Sequence, residues 1–166
     1  MILIALGSSL PSHAGDPAQT LRAALVHLRD NKVTPVAVSR FYRTPAWPDP
    51  RDPSFINAVA RVMTELSPEQ LIAALHDTET AFGRVRDARN APRTLDLDIL
   101  DYDGRIQDGP PVLPHPRMAS RAFVLVPLHD VAPDWRHPVS GASLTSLLDA
   151  LPAAERAAVT PIAPES

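Results

Sequence analysis

The chain contains no cysteine. Disulfides, thiolate metal centres and cysteine nucleophiles are therefore excluded. The residues left for metal binding are carboxylates and six histidines. No apolar run approaches the roughly 18 residues of a membrane-spanning helix. The apolar start, Met1 to Leu6, has no basic flank, and Gly7-Ser8-Ser9 interrupts it short of a signal peptide. A soluble cytoplasmic protein with no membrane partner is expected. Charge of one sign is also lacking, with a formal net charge of -3. That total does not call for nucleic acid, and none is expected as a partner. Glycine is scarce, at six residues against nineteen prolines. Proline fixes φ and removes a donor, so many loops should be stiff.

What is present is enough for one folded unit. The chain has 166 residues, 45% of them hydrophobic, which suits a single domain with a real core. No repeat period and no linker divides it. A single domain over 1–152, a C-terminal tail of low order over 153–166, and a monomer are the expectations.

Hydrophobic patterning gives a coarse map. Ile2 to Leu6 is a short apolar run that suits a buried strand. Asp16-Pro17 is a helix start, followed by Leu21, Ala24, Leu25 and Leu28 at helical spacing. Lys32 to Arg43 reads as a strand despite Pro35. Thr44 to Pro53 holds four prolines and a tryptophan and must be a loop. Phe55 to Thr64 reads as a strand with Phe55, Asn57 and Val59 on one face. Ser67-Pro68-Glu69-Gln70 is a capping box opening a helix that should end near Phe82-Gly83. Thr94 to Tyr102 is the clearest strand, turned by Asp103-Gly104 toward a short hairpin partner at 105–107. Helices are expected over Ser120 to Leu128 and Ser143 to Leu151. This order suggests an α+β protein with a mainly antiparallel sheet.

The chemistry concentrates in Pro92-Arg93-Thr94-Leu95-Asp96-Leu97-Asp98-Ile99. In a strand Leu95, Leu97 and Ile99 point one way and Asp96 and Asp98 the other. The two aspartate Cα atoms then stand roughly 6.6 Å apart. Two carboxylates held side by side repel one another unless a divalent cation sits between them, and their hard oxygens suit magnesium. Taken alone, an Asp-x-Asp is more often the solvated face of an edge strand. Its surroundings tip the balance. Arg84, Arg86, Arg89 and Arg93 lie just upstream, and guanidinium forks match phosphate oxygens. These arginines either hold a metal–polyphosphate complex or pair with Asp87, Asp96 and Asp98.

Several motifs in order are similar to the 6-hydroxymethyl-7,8-dihydropterin pyrophosphokinase family. They are Gly7-Ser8-Ser9, Phe41-Tyr42-Arg43-Thr44-Pro45, Phe55-Ile56-Asn57-Ala58, Gly83-Arg84-Val85-Arg86, the Pro92–Ile99 string, and Pro114-His115 with Arg121-Ala122-Phe123. The resemblance runs from about residue 2 to about residue 150. It implies a ferredoxin-like three-layer αβα sandwich. It also implies pyrophosphoryl transfer from ATP to a hydroxymethyl-dihydropterin in folate biosynthesis, with AMP released and two magnesium ions accompanying ATP.

Residue by residue, the resemblance makes Asp96 and Asp98 the magnesium ligands. Arg84 and Arg93 hold the ATP phosphates, and His115, Arg121, Arg86 and Arg89 line the same channel. His76, Glu79 and Ile99 fall where the family contacts the nucleotide. Phe55 and Phe123 match the rings that sandwich the pterin. Asn57 matches the amide that reads its edge, and Thr44 and Pro45 match a contacting loop. Read without the family, Phe55 and Asn57 are a core ring beside a strand-end amide. Trp47 is either a lid or an anchor packing its own loop.

The sequence departs from the family pattern in places. Ser9 stands where asparagine is usual, and Ala91 where glycine is common before the proline. Pro110, Pro111 and Val112 replace residues that are often polar. Two other classes remain: another metal-dependent nucleotidyl or phosphoryl transferase that shares the Asp-x-Asp strand, and a non-catalytic ligand-binding module of ferredoxin-like shape, which would not need two aligned carboxylates facing an arginine loop.

Overall fold

The computed structural model describes residues 1–46, 49–84 and 93–163. It contains β1 (Ile2–Ser8), α1 (Pro17–Asp30), β2 (Thr34–Val38), β3 (Tyr42–Thr44), β4 (Phe55–Met63), α2 (Pro68–Ala81) and β5 (Asp96–Tyr102). A 3-10 turn (Met118–Ser120), α3 (Ala122–Val131), α4 (Leu144–Ala150), α5 (Ala153–Ala157) and β6 (Thr160–Pro161) follow. Among the described residues no helix is long and apolar enough to cross a membrane.

Both early helices begin as the sequence predicts. Asp16 caps α1 and Ser67 caps α2, each in a reciprocal capping box with a glutamine at N3 and a proline in the first turn. These side chains satisfy amides that otherwise have no intrahelical partner. Gly83, at φ 83°, takes the left-handed turn that ends α2.

The sheet runs β5-β1-β4-β3-β6, with β2 also paired to β4. β1 is antiparallel to both β4 and β5. β4 and β5 are therefore parallel, and α2 joins them across β1. The strand predicted over Lys32 to Arg43 is two strands, β2 and β3, that pair with different ends of β4. Proline in β2 is tolerated because β2 lies at the sheet edge.

Two cores sandwich this sheet. On one face Ile4, Leu6, Ala58, Ala60, Leu97 and Ile99 pack against Leu21 and Leu28 of α1 and Leu71 and Leu75 of α2. On the other, Leu3, Val59 and Leu100 pack against Leu125 and Leu128 of α3 and Leu144 and Leu148 of α4. β1 is buried on both faces, which explains its unbroken apolar run. The arrangement is the expected ferredoxin-like α+β sandwich with an antiparallel sheet.

Two local expectations are corrected. Residues 105–107 form no strand beside β5; Gln107 bridges to Leu113 instead. Residues beyond 152 are not a loose tail throughout. They form α5 and β6, which pairs with β3, and Val159 is buried against Tyr42 and Ala122. The register in β1–β5 slips by one residue between Leu3 and Ile4. This bulge turns Leu100 and Asp101 toward the same core, where the buried Asp101 accepts from Trp135 Nε1 at 2.8 Å and from the Gly104 amide at 3.0 Å.

Candidate active site

β5 sets the site by its alternation. Leu97 and Ile99 are buried under α1 and α2, so Asp96 and Asp98 face the other side, above the bulge. Register places Asp96 beside Gly7 and Asp98 beside Ala5 on β1. Beyond β1, Gly7 lies opposite Asn57 on β4. A Cβ at Gly7 would come within 2.9 Å of Asn57 Oδ1, so glycine lets that amide keep its position.

The two aspartates stand where two cavities join. The larger, about 770 Å³, includes Gly7, Thr44, Pro45, Phe55, Asn57 and Phe123 in its lining. The smaller, about 340 Å³, is lined by His76, Glu79, Arg84, Leu97 and Pro116. Arg93, Asp96, Asp98, His115, Arg117 and Arg121 line both. One end of the cleft is thus apolar and aromatic, and the other is basic.

The basic end is a built network. Arg84 donates through Nη1 to Asp96 Oδ1 at 2.7 Å and to Glu79 Oε2 in a closer contact. Glu79 Oε2 also accepts from the Leu97 amide at 2.8 Å, which fixes a carboxylate that is only 1% exposed. Arg93 donates through Nη1 to Asp96 Oδ2 at 3.0 Å. Its backbone is pinned to the turn after β1: the Arg93 amide donates to Ser9 Oγ at 2.9 Å, and its carbonyl accepts from the Ser9 amide at 2.8 Å. Ser9 therefore fills its departure from the family pattern with a structural bond.

The aspartates differ electrically. Asp96 sits between two guanidinium groups. Among the described residues, the ion-pair contact of Asp98 is with His115 Nε2, 4.0 Å from its Oδ2, while the charges of Arg121 and Arg84 act on it from farther away. Burial, then the charges of Asp96 and Glu79, push the Asp98 carboxyl up to about 6. Burial, then the charges of Arg121 and Arg117, push His115 down to about 4, so it is neutral at physiological pH. The Arg117 amide donates to His115 Nδ1 at 3.2 Å. That leaves the imidazole proton on Nε2, the nitrogen facing Asp98. Burial lowers Arg121 from its ordinary value.

At the apolar end, Asn57 Nδ2 donates to Thr44 Oγ1 at 2.7 Å. This bond leaves Asn57 Oδ1 as the acceptor. Phe55 and Phe123 line the same cavity, and the Arg121 guanidinium lies 5.4 Å from the Phe123 ring centre.

The sequence of the HPPK family, described as 7,8-dihydro-6-hydroxymethylpterin-pyrophosphokinase, matches residues 3–133. The chain belongs to this family. The 2-amino-4-hydroxy-6-hydroxymethyldihydropteridine pyrophosphokinase of Pseudomonas aeruginosa is 43% identical over 153 residues, covering 91% of each chain. That of Methylorubrum extorquens is 44% identical over 127 residues, covering 75% of this chain and 80% of the relative. The crystal structure of wild-type Plasmodium falciparum HPPK-DHPS shares the fold, with a TM-score of 0.65 at 12% identity. It covers 89% of this chain, which spans 44% of that longer one.

Against the HPPK expectation, most named residues converge. Thr44, Pro45, Phe55, Asn57 and Phe123 line the larger cavity, and His76, Glu79 and Arg84 the smaller. Arg93, Asp96, Asp98, His115 and Arg121 join the two. Ile99 packs into the core and lines neither cavity. Trp47, Arg86, Arg89 and Ala91 lie outside the described residues. Sequence reasoning missed Arg117, which lines both cavities. The turn after His115 brings it there, and no spacing in the sequence announces it. It also missed Glu155, Ala158 and Val159 in the larger cavity, because that segment carries no periodic pattern.

Proposed function

We infer that this chain transfers the pyrophosphoryl group of ATP to 6-hydroxymethyl-7,8-dihydropterin, releasing AMP, as a step of folate biosynthesis. The observation that carries the reading is the junction: paired carboxylates lie where an aromatic, amide-bearing cavity meets a basic one. A flat heterocycle suits the first and a triphosphate the second.

The donor set fits magnesium. Asp98 keeps a charge that no guanidinium neutralises by direct pairing among the described residues, while hard oxygens are what magnesium takes. No cluster of three or more His, Cys, Asp or Glu ligands exists among the described residues. That agrees with an ion held by one or two carboxylates, with substrate phosphates and water completing the shell. Asp96 and Asp98 would hold it. Bound there, magnesium supplies charge neutralisation on the phosphates and orients attacker and leaving group.

The remaining work falls to the chain's own residues. Phe55 and Phe123 stack the pterin, Asn57 Oδ1 accepts from an N–H on its edge, and Thr44 orients that amide. Arg93 and Arg121 hold the phosphates and offset charge that builds on the transferring group. Arg84 and Glu79 position Asp96 and Leu97. His115 keeps a neutral imidazole with a proton at Nε2 for a phosphate oxygen. The pterin hydroxymethyl oxygen bonds to the β-phosphorus as the bond from that phosphorus to the α–β bridging oxygen breaks; AMP leaves with that oxygen, and the hydroxyl proton passes to solvent. Positioning carries most of the rate, and no strong side-chain base is required. The protein acts as a cytoplasmic monomer in this reading.

The test is to incubate the protein with ATP, magnesium and the hydroxymethyl-dihydropterin and to resolve the nucleotides by chromatography. Pterin-dependent AMP supports the reading. ADP in place of AMP indicates ordinary phosphoryl transfer, and no turnover rejects it.

A further inference from the structure

We propose that Glu155 on the C-terminal strap is a specificity-determining residue of the larger cavity, accepting a hydrogen bond from an N–H of the bound heterocycle. The proposal rests on the pyrophosphokinase reading. It deepens that reading at a place beyond the family match, which ends at residue 133.

The strap is fixed to the wall of the cleft at several points. β6 pairs with β3 through Tyr42↔Pro161 and Arg43↔Thr160, and the Ile162 amide donates to the Phe41 carbonyl at 2.9 Å. Val159 is buried against Tyr42 and Ala122. Arg156 reaches Asp149 of α4 at 3.6 Å. These contacts bring Glu155, Ala158 and Val159 into the lining of the cavity that holds Thr44, Asn57 and Phe123.

Glu155 is exposed, and its charge stands apart from the others that line the cleft. Of the described residues that line the larger cavity and not the smaller, it is the only charged one. All other charged lining residues stand at the phosphate junction. No ion pair or hydrogen bond of its side chain is found among the described residues. A surface glutamate without a partner is ordinary, but this one lines an aromatic cavity on a segment anchored by the buried Val159. A pterin offers an exocyclic amine and ring N–H groups, more donors than Asn57 Oδ1 alone accepts. A carboxylate is an acceptor only, so it suits those donors. The same negative charge repels phosphate, so a triphosphate is steered to the basic end and the heterocycle to this one.

The experiment measures binding of 6-hydroxymethylpterin by its fluorescence, and of a non-hydrolysable ATP analogue with magnesium, to three proteins. These are the wild type, Glu155→Ala and Glu155→Gln. Removing a charged acceptor should weaken pterin binding about tenfold in the alanine variant, and less in the glutamine variant, which keeps an acceptor. Affinity for the ATP analogue should stay within about twofold of wild type. Unchanged pterin affinity in Glu155→Ala overturns the proposal. So does equal weakening of both ligands, which marks a merely structural strap. A wild-type protein that binds no pterin overturns both this proposal and the function on which it rests. Normal wild-type turnover with unaltered Glu155→Ala overturns this proposal alone.

Discussion

Asp98→Asn should make the protein more stable and leave it inactive. Burial, then the charges of Asp96 and Glu79, push the Asp98 carboxyl up to about 6 from 3.8. A rise of that size corresponds to about 3 kcal/mol at neutral pH. The Asp98 side chain is 41% exposed, so solvent screening reduces the usable part to about 1 kcal/mol. The sign follows from proton binding. The folded state holds this proton more tightly than the unfolded state, so the penalty is full above the folded value near 6 and fades as pH falls toward 3.8. For a chain of this length, removing the penalty should raise Tm by about 2–4 °C at pH 7.5. The gain should shrink at pH 5 and vanish below about pH 4. Thermal melts by circular dichroism without divalent metal read it directly. Repeating them with ATP analogue and magnesium should stabilise the wild type and not the variant. A lower Tm for Asp98→Asn at pH 7.5, or retained AMP formation, would refute the reasoning.

Three further outcomes follow from contacts elsewhere. Arg84→Ala removes a cation from a carboxylate that is 1% exposed, Glu79. Unfolding in urea should show a loss of about 2–4 kcal/mol, and a loss under about 0.5 kcal/mol would contradict the buried pairing. Tyr42→Phe removes a 2.7 Å bond to Asp130 and should cost about 1 kcal/mol. Burial, with the Asp130 bond, pushes the Tyr42 phenol up to about 12. Stability from this group is therefore lost as pH rises from 10 toward 12. Ultraviolet titration should show one of the two tyrosines ionising late, and two ordinary tyrosines would reject the placement. Phe123→Ala should raise the pterin KM by about fivefold with little change in Tm, since stacking is worth about 1 kcal/mol and the ring is partly exposed. An unchanged KM would remove Phe123 from the site.

Much of the site was legible because strand alternation is strict. Asp96 and Asp98 fall on one face as the period of two requires, and Phe55 and Asn57 share a face of β4 for the same reason. Helix starts were legible because Asp16-Pro17 and Ser67-Pro68 are local chemistry. What depends on distant packing was not legible. The break between β2 and β3 comes from where β4 offers partners. The bulge at Leu3/Ile4 lets Leu100 and Asp101 share a core, and alternation alone would separate them. α5 and β6 owe their order to β3 and to Val159 beneath them, because five helical residues and two strand residues carry little signal of their own. Arg117 reached the junction through the turn after His115, a placement that no spacing rule announces.

The most direct test of the central claim is a crystal of this protein grown with magnesium, a non-hydrolysable ATP analogue and 6-hydroxymethylpterin. Density for the triphosphate in the Arg84–Arg93–Arg121 cavity, a cation on Asp96 and Asp98, and the ring between Phe55 and Phe123 is the predicted result. Nucleotide bound away from the two aspartates, or carboxylates still paired only with arginine beside a bound triphosphate, would contradict it.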